Sequence, residues 1–227
     1  LHVLPGGAET GAAVVADPLV RVVSFTGSTA AGRVVGELAG RHLKRAHLEL
    51  GGNSALVVLR DADVGAAVAQ ASWGSFFHQG QICMTAGRHL VHASLYDEYV
   101  ERLAARAEAL VVGDPYRDRV HLGPLIDRGQ LERVRGLVEA STEQGAKLVA
   151  GGTHEGLFYR PTVLAGVGDD TPAYAEEVFG PVAPVRSFAT EEEAVALASA
   201  GPYGLSLGIV TRDAARGLEL AGRIPTG

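Results

Sequence analysis

Short apolar runs rich in β-branched residues alternate along this chain with alanine-rich runs of helical period. In the first half, the pattern predicts strands over residues 1–4, 20–25, 55–59 and 88–92, and helices over 12–16, 30–39, 61–74 and 94–110. Strands separated by helices of about 10–15 residues are typical of parallel sheets covered by helices. The sequence therefore predicts an α/β fold of parallel sheet layers flanked by helices, in which residues 20–25 form a buried strand.

The second half of the chain repeats the alternation with shorter strands. It predicts helices over residues 131–144, 191–200 and 213–222, and strands over 147–150, 160–164, 182–188 and 205–210. Pro184 lies within one of these strands. Because proline has no backbone N–H to donate, it favours an irregular or edge position for that strand.

Composition narrows the class of partner. The 227 residues are 47% hydrophobic and carry a net charge of −6 spread along the chain, which describes an ordinary globular protein of one large domain or two small ones. Nucleic acid is not expected as a partner, because no basic face is concentrated anywhere. No membrane contact is expected either, because no apolar run reaches the roughly 18 residues of a span. The eight histidines are scattered, so no metal site is predicted.

The cysteine content and the two ends of the chain suggest a cellular compartment and a longer parent protein. No signal peptide opens the chain. A single cysteine fits a reducing compartment, and we expect the cytoplasm. The chain starts at Leu1 without a methionine and stops without a visible end to an element, so we expect a piece of a longer protein.

The single cysteine, Cys83, lies in an unusual segment. Gly80 and Gly87 bracket it, two glutamines precede it, and Arg88 follows. A lone cysteine is usually a small buried hydrophobe, and that reading remains open. Glycines on both sides instead favour a sharply turned backbone that presents the thiol, and Arg88 with nearby amides would favour the nucleophilic thiolate.

A second candidate site follows the strand at residues 20–25. The turn Thr26-Gly27-Ser28-Thr29 leads directly into a helix. A helix N-terminus offers free N–H groups and the positive end of a dipole, which suits a phosphate. The alternative is an ordinary capped helix, because Gly27 and Gly32 do not complete a G-x-G-x-x-G fingerprint.

Four motifs occur in a fixed order along the chain. They are Phe25-Thr26-Gly27-Ser28-Thr29, Glu49-Leu50-Gly51-Gly52-Asn53, Gln79-Gly80-Gln81-Ile82-Cys83 and Glu176-Glu177-Val178-Phe179-Gly180-Pro181. Together they resemble the NAD(P)-dependent aldehyde dehydrogenase family, including the separation of Glu49 from Cys83 (83 − 49 = 34 positions). The resemblance covers essentially the whole chain and implies an aldehyde-dehydrogenase-like fold.

The resemblance implies a role for each matching residue. Cys83 takes the place of the nucleophile and Glu49 that of the general base. The positions implied to bind the cofactor are Gly27, Ser28, Leu50, Gly51, Gln130, Arg133, Glu177 and Phe179. Phe77 and Met84 are placed beside the substrate, although plain core packing is an alternative for Phe77 and Phe179.

The implied reaction is oxidation of an aldehyde to a carboxylic acid with NAD or NADP. A thiolate adds to the aldehyde, and a carboxylate later activates the water that hydrolyses the thioester. Asn53 and the residues 78–84 look most like the branch acting on aromatic aldehydes such as benzaldehyde or vanillin. Acyl transfer to coenzyme A is the first alternative, although Glu49 counts against it. A non-enzymatic binding or assembly module is the second.

The same resemblance implies a domain arrangement. Residues 1–50 would form the end of a Rossmann-like cofactor domain and residues 51–227 the catalytic domain, with the active site between them. The Trp-Asn-Phe-Pro-like motif, the first cofactor-domain strands and the last segments of the family are absent. We therefore expect the isolated 227 residues to be inactive or nearly so, and the full-length protein to be a homodimer or homotetramer.

Overall fold

A computed structural model describes all residues from 1 to 227. The chain divides into two compact units, Leu1–Gly51 and Gly52–Gly227. The functions that the sequence suggests for these two parts remain predictions.

The first unit is a two-stranded parallel sheet with two helices. Its elements are α1 (Ala8–Ala16), β1 (Val22–Thr26), α2 (Thr29–Arg41) and β2 (Arg45–Glu49). The pairing runs in register from Val22 opposite Arg45 to Thr26 opposite Glu49. Helix α2 begins after Ser28, whose hydroxyl oxygen accepts the Ala31 N–H at 3.2 Å.

Two predictions for this unit are wrong. Residues 1–7 form no regular structure, because the expected first strand has no partner there. Strand β1 is not buried: its residues alternate between exposed and partly buried, and Val22 is 60% exposed. The reason is that only one neighbouring strand and the packing of α2 cover it.

The second unit contains a six-stranded sheet with helices on both faces. Its elements are β3 (Ser54–Val58), α3 (Val64–Phe76), β4 (Ala86–His92), α4 (Tyr96–Glu108), α5 (Arg128–Glu143), β5 (Lys147–Ala150), β6 (His154–Glu155), β7 (Phe158–Tyr159), β8 (Thr162–Ala165), α6 (Pro172–Ala175), β9 (Val182–Phe188), α7 (Glu191–Ser199), β10 (Leu207–Val210) and α8 (Ala214–Ala221). The strand order is β10-β3-β4-β9-β8-β5. None of the helices combines the length and apolar character that a membrane crossing requires.

The sheet is mixed rather than wholly parallel. Strands β10, β3, β4, β9 and β8 pair in parallel, but β5 runs antiparallel to β8. A parallel pair needs a long crossover connection, usually a helix. Here only the short β6–β7 hairpin separates β5 from β8, so the chain returns in the opposite direction.

The edge position suggested by Pro184 is also wrong. Strand β9 lies inside the sheet, between β4 and β8. Its pairing with β4 begins at Val185, opposite His89. Pro184 therefore precedes the first residue of that ladder, which allows a proline on an internal strand.

Side chains of alternating direction build a core on each face of the sheet. In β3, Ala55 and Val57 join a cluster with α5, α7 and α8, whereas Leu56 and Val58 join one with α3 and α4. All five residues of β3 are buried, as expected for a strand covered on both faces. Packing on both faces of the sheet therefore fixes where each strand begins relative to its neighbours.

Two buried polar groups in β4 belong to the scaffold. His89 is fully buried; its Nε2 lies 2.7 Å from Ser75 Oγ and its Nδ1 lies 2.7 Å from the Tyr99 hydroxyl. The guanidinium of Arg88, 5% exposed, donates to the carbonyls of Asn53 and of the last turn of α7. Arg88 therefore ties the start of β3 to the C-terminus of α7.

Candidate active site

The candidate residues of the second unit converge because of strand order. Gly52 and Asn53 precede β3, residues 81–85 precede β4, and residues 176–181 precede β9. These three strands are neighbours and run in parallel, so the three segments meet at their amino ends. Ligands of open α/β sheets usually bind at the carboxyl ends of the strands. This cluster lies at the amino ends, so that general rule would not have predicted its position.

The cysteine segment begins with a left-handed turn. His78, Gln79 and Gly80 have φ angles of 51°, 57° and 67°. Each non-glycine residue in this region costs about 1–2 kcal/mol, so the turn requires support from its surroundings. A methyl group at Gly80 would overlap the carbonyl oxygen of Gly180, so the two backbones touch. The turn predicted at Gly80 is confirmed.

Side-chain amides and a hydroxyl support this turn. The Gln81 side-chain oxygen accepts the Ile126 N–H at 3.0 Å, and the Gln79 side-chain oxygen accepts the Gly123 N–H at 2.8 Å. The Thr85 hydroxyl donates to the carbonyls of Gly80 and Ile82. The two glutamines that precede the cysteine in sequence therefore fix its loop to the 123–126 segment.

Cys83 is presented rather than packed. Its side chain is only partly buried, so the reading of a buried small hydrophobe is wrong. The Cys83 backbone N–H makes no hydrogen bond within the chain. A methyl group at Gly52 would overlap the Cys83 carbonyl oxygen, so the Gly52 backbone lies directly against the cysteine. A free thiol beside a free N–H suits a nucleophile beside an oxyanion donor.

One expectation about the neighbours of the cysteine is wrong, and a second stays a prediction. Gly87 is not part of a turn; it lies in β4, where a methyl group would overlap Asn53 Oδ1. Arg88 directs its guanidinium at carbonyls of Asn53 and α7, and its expected effect on the Cys83 thiolate stays a prediction.

The 176–181 loop carries two candidate residues. The Gly52 N–H donates to Glu177 Oε1 at 2.9 Å, and Glu177 Oε2 has no partner within the chain. Phe179 has a φ of 54° and is 37% exposed, so plain core packing does not account for it. An exposed aromatic ring on a strained backbone indicates a position held for another purpose than packing. Through Gly52, this loop and Cys83 share one backbone neighbour.

Gln130 and Arg133 lie on the helix that faces this loop. The Gln130 amide nitrogen donates to the carbonyls of Val178 at 3.1 Å and Phe179 at 2.7 Å. Arg133 donates to the carbonyl of Glu177 at 2.9 Å. Both are bonded to the backbone of the loop, a contact that sequence reasoning did not predict because it joins residues more than 40 positions apart.

A narrow crevice separates the cysteine segment from the 176–181 loop. Asn53 is 4% exposed; its amide nitrogen donates to the Tyr174 carbonyl, whereas Oδ1 has no partner. The lining also includes Gly52, Thr85, Glu177 and Phe179. An unpaired buried acceptor is costly, and because Asn53 Oδ1 has almost no accessible surface, only an enclosed water could donate to it.

The two predicted substrate residues lie at the surface. Phe77 is 44% exposed and stacks on Trp73, with ring centroids 5.0 Å apart, so core packing is also excluded for Phe77. Met84 is 51% exposed and lines, with Trp73, a mainly apolar groove of about 490 Å³ between α3 and the starts of β3 and β10. Exposed aromatic and thioether groups suit a flat apolar substrate.

The first unit brings the other candidates to one end of its sheet. The Gly27 N–H donates to the Glu49 carbonyl at 3.1 Å, so the turn before α2 and Glu49 meet at the carboxyl ends of β1 and β2. The Glu49 side chain is 49% exposed and lies 3.1 Å from His47 Nε2. A methyl group at Gly32 would overlap the Leu50 side chain, so Leu50 packs against α2.

Comparison with known proteins gives the class. A family model described as the aldehyde dehydrogenase family matches residues 1–227, and the chain belongs to that family. Among solved structures, an NAD-dependent aldehyde dehydrogenase from Sinorhizobium meliloti is 38% identical with a TM-score of 0.94, over 97% of this chain and 45% of that one. An NADP-dependent enzyme of E. coli is 36% identical with a TM-score of 0.95, over 99% of this chain and 47% of that one.

Two relatives with higher sequence identity are named for aromatic aldehydes. A vanillin dehydrogenase of Amycolatopsis sp. is 68% identical over 227 residues, which are all of this chain and 47% of that protein. A benzaldehyde dehydrogenase of Pseudomonas putida, named for NAD(+), is 52% identical over the same span, again 47% of its length. The chain spans about half the length of the relatives it matches.

Proposed function

We propose that the full-length protein oxidises an aromatic aldehyde to the carboxylic acid, with NAD or NADP as cofactor. The observation that carries this proposal is the partly exposed Cys83, set beside a free backbone N–H after a left-handed turn. The relatives named for vanillin and benzaldehyde support the substrate class. The exposed Phe77 and Met84 beside the cysteine segment support an aromatic substrate.

Residues of the chain fit the cofactor at two places. In the first unit, the first turn of α2 leaves backbone N–H groups without intrahelical partners next to Gly27 and Ser28, which suits a pyrophosphate. In the second unit, the free Oε2 of Glu177 suits a ribose hydroxyl. When bound, the dinucleotide supplies the hydride acceptor for the oxidation.

The chain's own residues supply the remaining steps. The Cys83 thiolate adds to the aldehyde carbon, and its backbone N–H donates to the oxygen that becomes negative. After oxidation the acyl group remains on the sulfur as a thioester. Glu49 takes a proton from the water that attacks this thioester, and the Cys83 thiolate is released.

Two substitutions in the full-length protein test these roles. Cys83→Ala should abolish formation of reduced dinucleotide from benzaldehyde, because no covalent adduct forms. Glu49→Gln should retain a burst of about one reduced dinucleotide per site and then turn over about 10²- to 10⁴-fold more slowly, because only hydrolysis is impaired. Substitution of the exposed Glu37, on α2, by Gln is the matched control. Continued turnover by Cys83→Ala would remove the assignment.

Product analysis with and without coenzyme A separates hydrolysis from acyl transfer, and a thioester product would favour acyl transfer.

We also propose a homodimer or homotetramer for the full-length protein, which light scattering on the purified protein tests. A cytoplasmic location is proposed on the single cysteine.

A further inference from the structure

Three fully buried polar side chains lie at the base of the cysteine loop, residues 77–85, which joins α3 to β4. They are Ser75 in the last turn of α3, His89 in β4 and Tyr99 in α4, and we call them the buried network. The proposed chemistry uses none of them. Because polar groups are costly to bury unless they are hydrogen-bonded, their partners indicate what they do.

The direction of the hydrogen bonds in the buried network follows from Tyr99. Its hydroxyl lies 2.7 Å from His89 Nδ1 and has no other partner within the chain, so it donates to that nitrogen. The ring proton therefore lies on Nε2, which donates to Ser75 Oγ at 2.7 Å and lies 3.2 Å from the Ala86 carbonyl oxygen. Ser75 donates its single hydrogen to the Ala86 carbonyl at 2.8 Å. All the donors of the network thus point toward Ala86.

This arrangement joins the two ends of the cysteine loop. Ser75 lies just before the loop, and Ala86 follows it directly as the first residue of β4. A methyl group at Gly74 would lie 3.2 Å from the Ala86 Cβ, so the two ends are also in close contact. The pairing of β3 with β4 shifts register at the same level, between Ser54 and Ala55. Because such a shift disrupts the strand ladder locally, side-chain bonds to Ala86 add support where the ladder is weakest.

The cysteine loop depends on support at its base because its backbone is strained. His78 and Gln79 have left-handed φ angles of 51° and 57°. Strained residues persist only where their surroundings hold them in place. The 123–126 segment holds the turn itself, and the buried network holds the two ends. Without the bonds at the base, the loop can open locally, and the thiol of Cys83 loses its fixed position.

We propose that Ser75, His89 and Tyr99 are positioning residues, which hold Cys83 in place for attack on the aldehyde by closing the base of the cysteine loop. This inference rests on the proposed function and adds three residues for which the sequence predicted no role. It predicts that loss of the Tyr99 hydroxyl, on a separate helix, alters both the order of the loop and the rate of attack.

The test uses the full-length protein and two substitutions that each remove one hydroxyl group. Ser75→Ala removes the bond to Ala86 directly. Tyr99→Phe keeps the aromatic ring but leaves His89 Nδ1 without a donor, so the ring proton can move to Nδ1. Nε2 then becomes an acceptor and competes with the Ala86 carbonyl for the hydrogen of Ser75.

Two substitutions of the same chemical kind serve as matched controls. Ser72→Ala removes a buried hydroxyl one turn earlier on α3, outside the buried network. Tyr159→Phe removes a fully buried phenol hydroxyl that has no hydrogen-bond partner. Both controls should behave like the unsubstituted protein in the measurements below.

Two measurements report on the loop and on the attack. The first is hydrogen exchange at the amides of Gln81 and Thr85, which are bonded within the loop to the carbonyls of His78 and Ile82. The second is the rate of the first turnover of reduced dinucleotide from benzaldehyde. In Ser75→Ala and Tyr99→Phe, the exchange should become about fivefold faster and the first turnover about fivefold slower, because each loses one neutral hydrogen bond. The Kd for NAD should stay the same, because the residues predicted to bind the cofactor lie on other segments.

Three results would overturn the inference. Unchanged exchange at Gln81 and Thr85 in both variants would show that the buried network does not close the loop. Faster exchange with an unchanged first turnover would show that closure of the loop does not position Cys83. Equally faster exchange throughout the second unit would indicate a general loss of stability instead. If the unsubstituted protein oxidises no aromatic aldehyde with NAD or NADP, the proposed function fails, whereas the exchange data still decide whether the buried network closes the loop.

Discussion

Acid should destabilise the second unit through a single histidine. Burial lowers the pKa of His89 to about 4, against an ordinary value of 6.5. Burial also raises the pKa of Tyr99 well above its usual range, so this hydroxyl stays protonated and donates to His89 Nδ1. Nε2 then carries the proton and donates to Ser75, whose hydroxyl donates to the Ala86 carbonyl. A second proton on His89 would create a buried cation with no carboxylate among its partners.

The sign and size follow from the two pKa values. As the pH falls, the unfolded chain binds the proton first, because its histidine has the higher pKa. The contribution of neutral His89 to stability is therefore complete above about pH 6.5 and declines until about pH 4. A difference of about 2.5 units corresponds to about 3 kcal/mol over the whole range, of which about 2 kcal/mol is lost between pH 8 and pH 5.

Urea unfolding at pH 8 and pH 5, followed by circular dichroism, measures this loss. His89→Gln keeps an amide in the polar network but cannot titrate, and the exposed His154→Gln is the matched control. The unsubstituted protein and His154→Gln should lose about 2 kcal/mol more between the two pH values than His89→Gln does. An equal loss in all three proteins would refute the assignment of the effect to His89.

Three further substitutions test the packing around the cysteine. Gly80→Ala should cost about 2 kcal/mol or more in urea unfolding, because the residue is left-handed and a methyl group overlaps the Gly180 carbonyl. Arg88→Met should lower the unfolding free energy by about 3 kcal/mol, because it leaves buried carbonyls without their donor. Gly87→Ala should lower the midpoint temperature of thermal unfolding, because the methyl group would push away Asn53 Oδ1, which packs against Gly87. Gly136→Ala should not lower this midpoint, because Gly136 lies in open space on α5.

Local sequence patterns predicted most of the fold. The segments predicted as strands at 55–59 and 88–92 lie in β3 and β4 apart from Leu59, and Asp63, Thr190 and Asp213 cap helices as their side chains favour. The failures came from pairing, which local pattern does not encode. The position of Pro184 inside the sheet and the antiparallel direction of β5 depend on which strands become neighbours.

The candidate site divides in the same way. The motif around Cys83 predicted a turned backbone at Gly80, and the structure has one. The roles of Gln79 and Gln81 in fixing that turn could not be predicted, because their partners lie in the distant 123–126 segment. The contacts of Gln130 with the 176–181 loop were missed for the same reason: helical period places a residue on a face but does not say what the face meets.

The hydrogen bond between Gly52 and Glu177 joins positions 125 residues apart. The close backbone contact between Gly80 and Gly180 spans a similar stretch of the chain. During synthesis, the ribosome must therefore release the chain beyond residue 181 before the loop around the thiol can acquire its final shape. Closing so large a loop is entropically unfavourable and slow. A nascent chain would thus carry Cys83 in an unformed loop until translation of this region has finished.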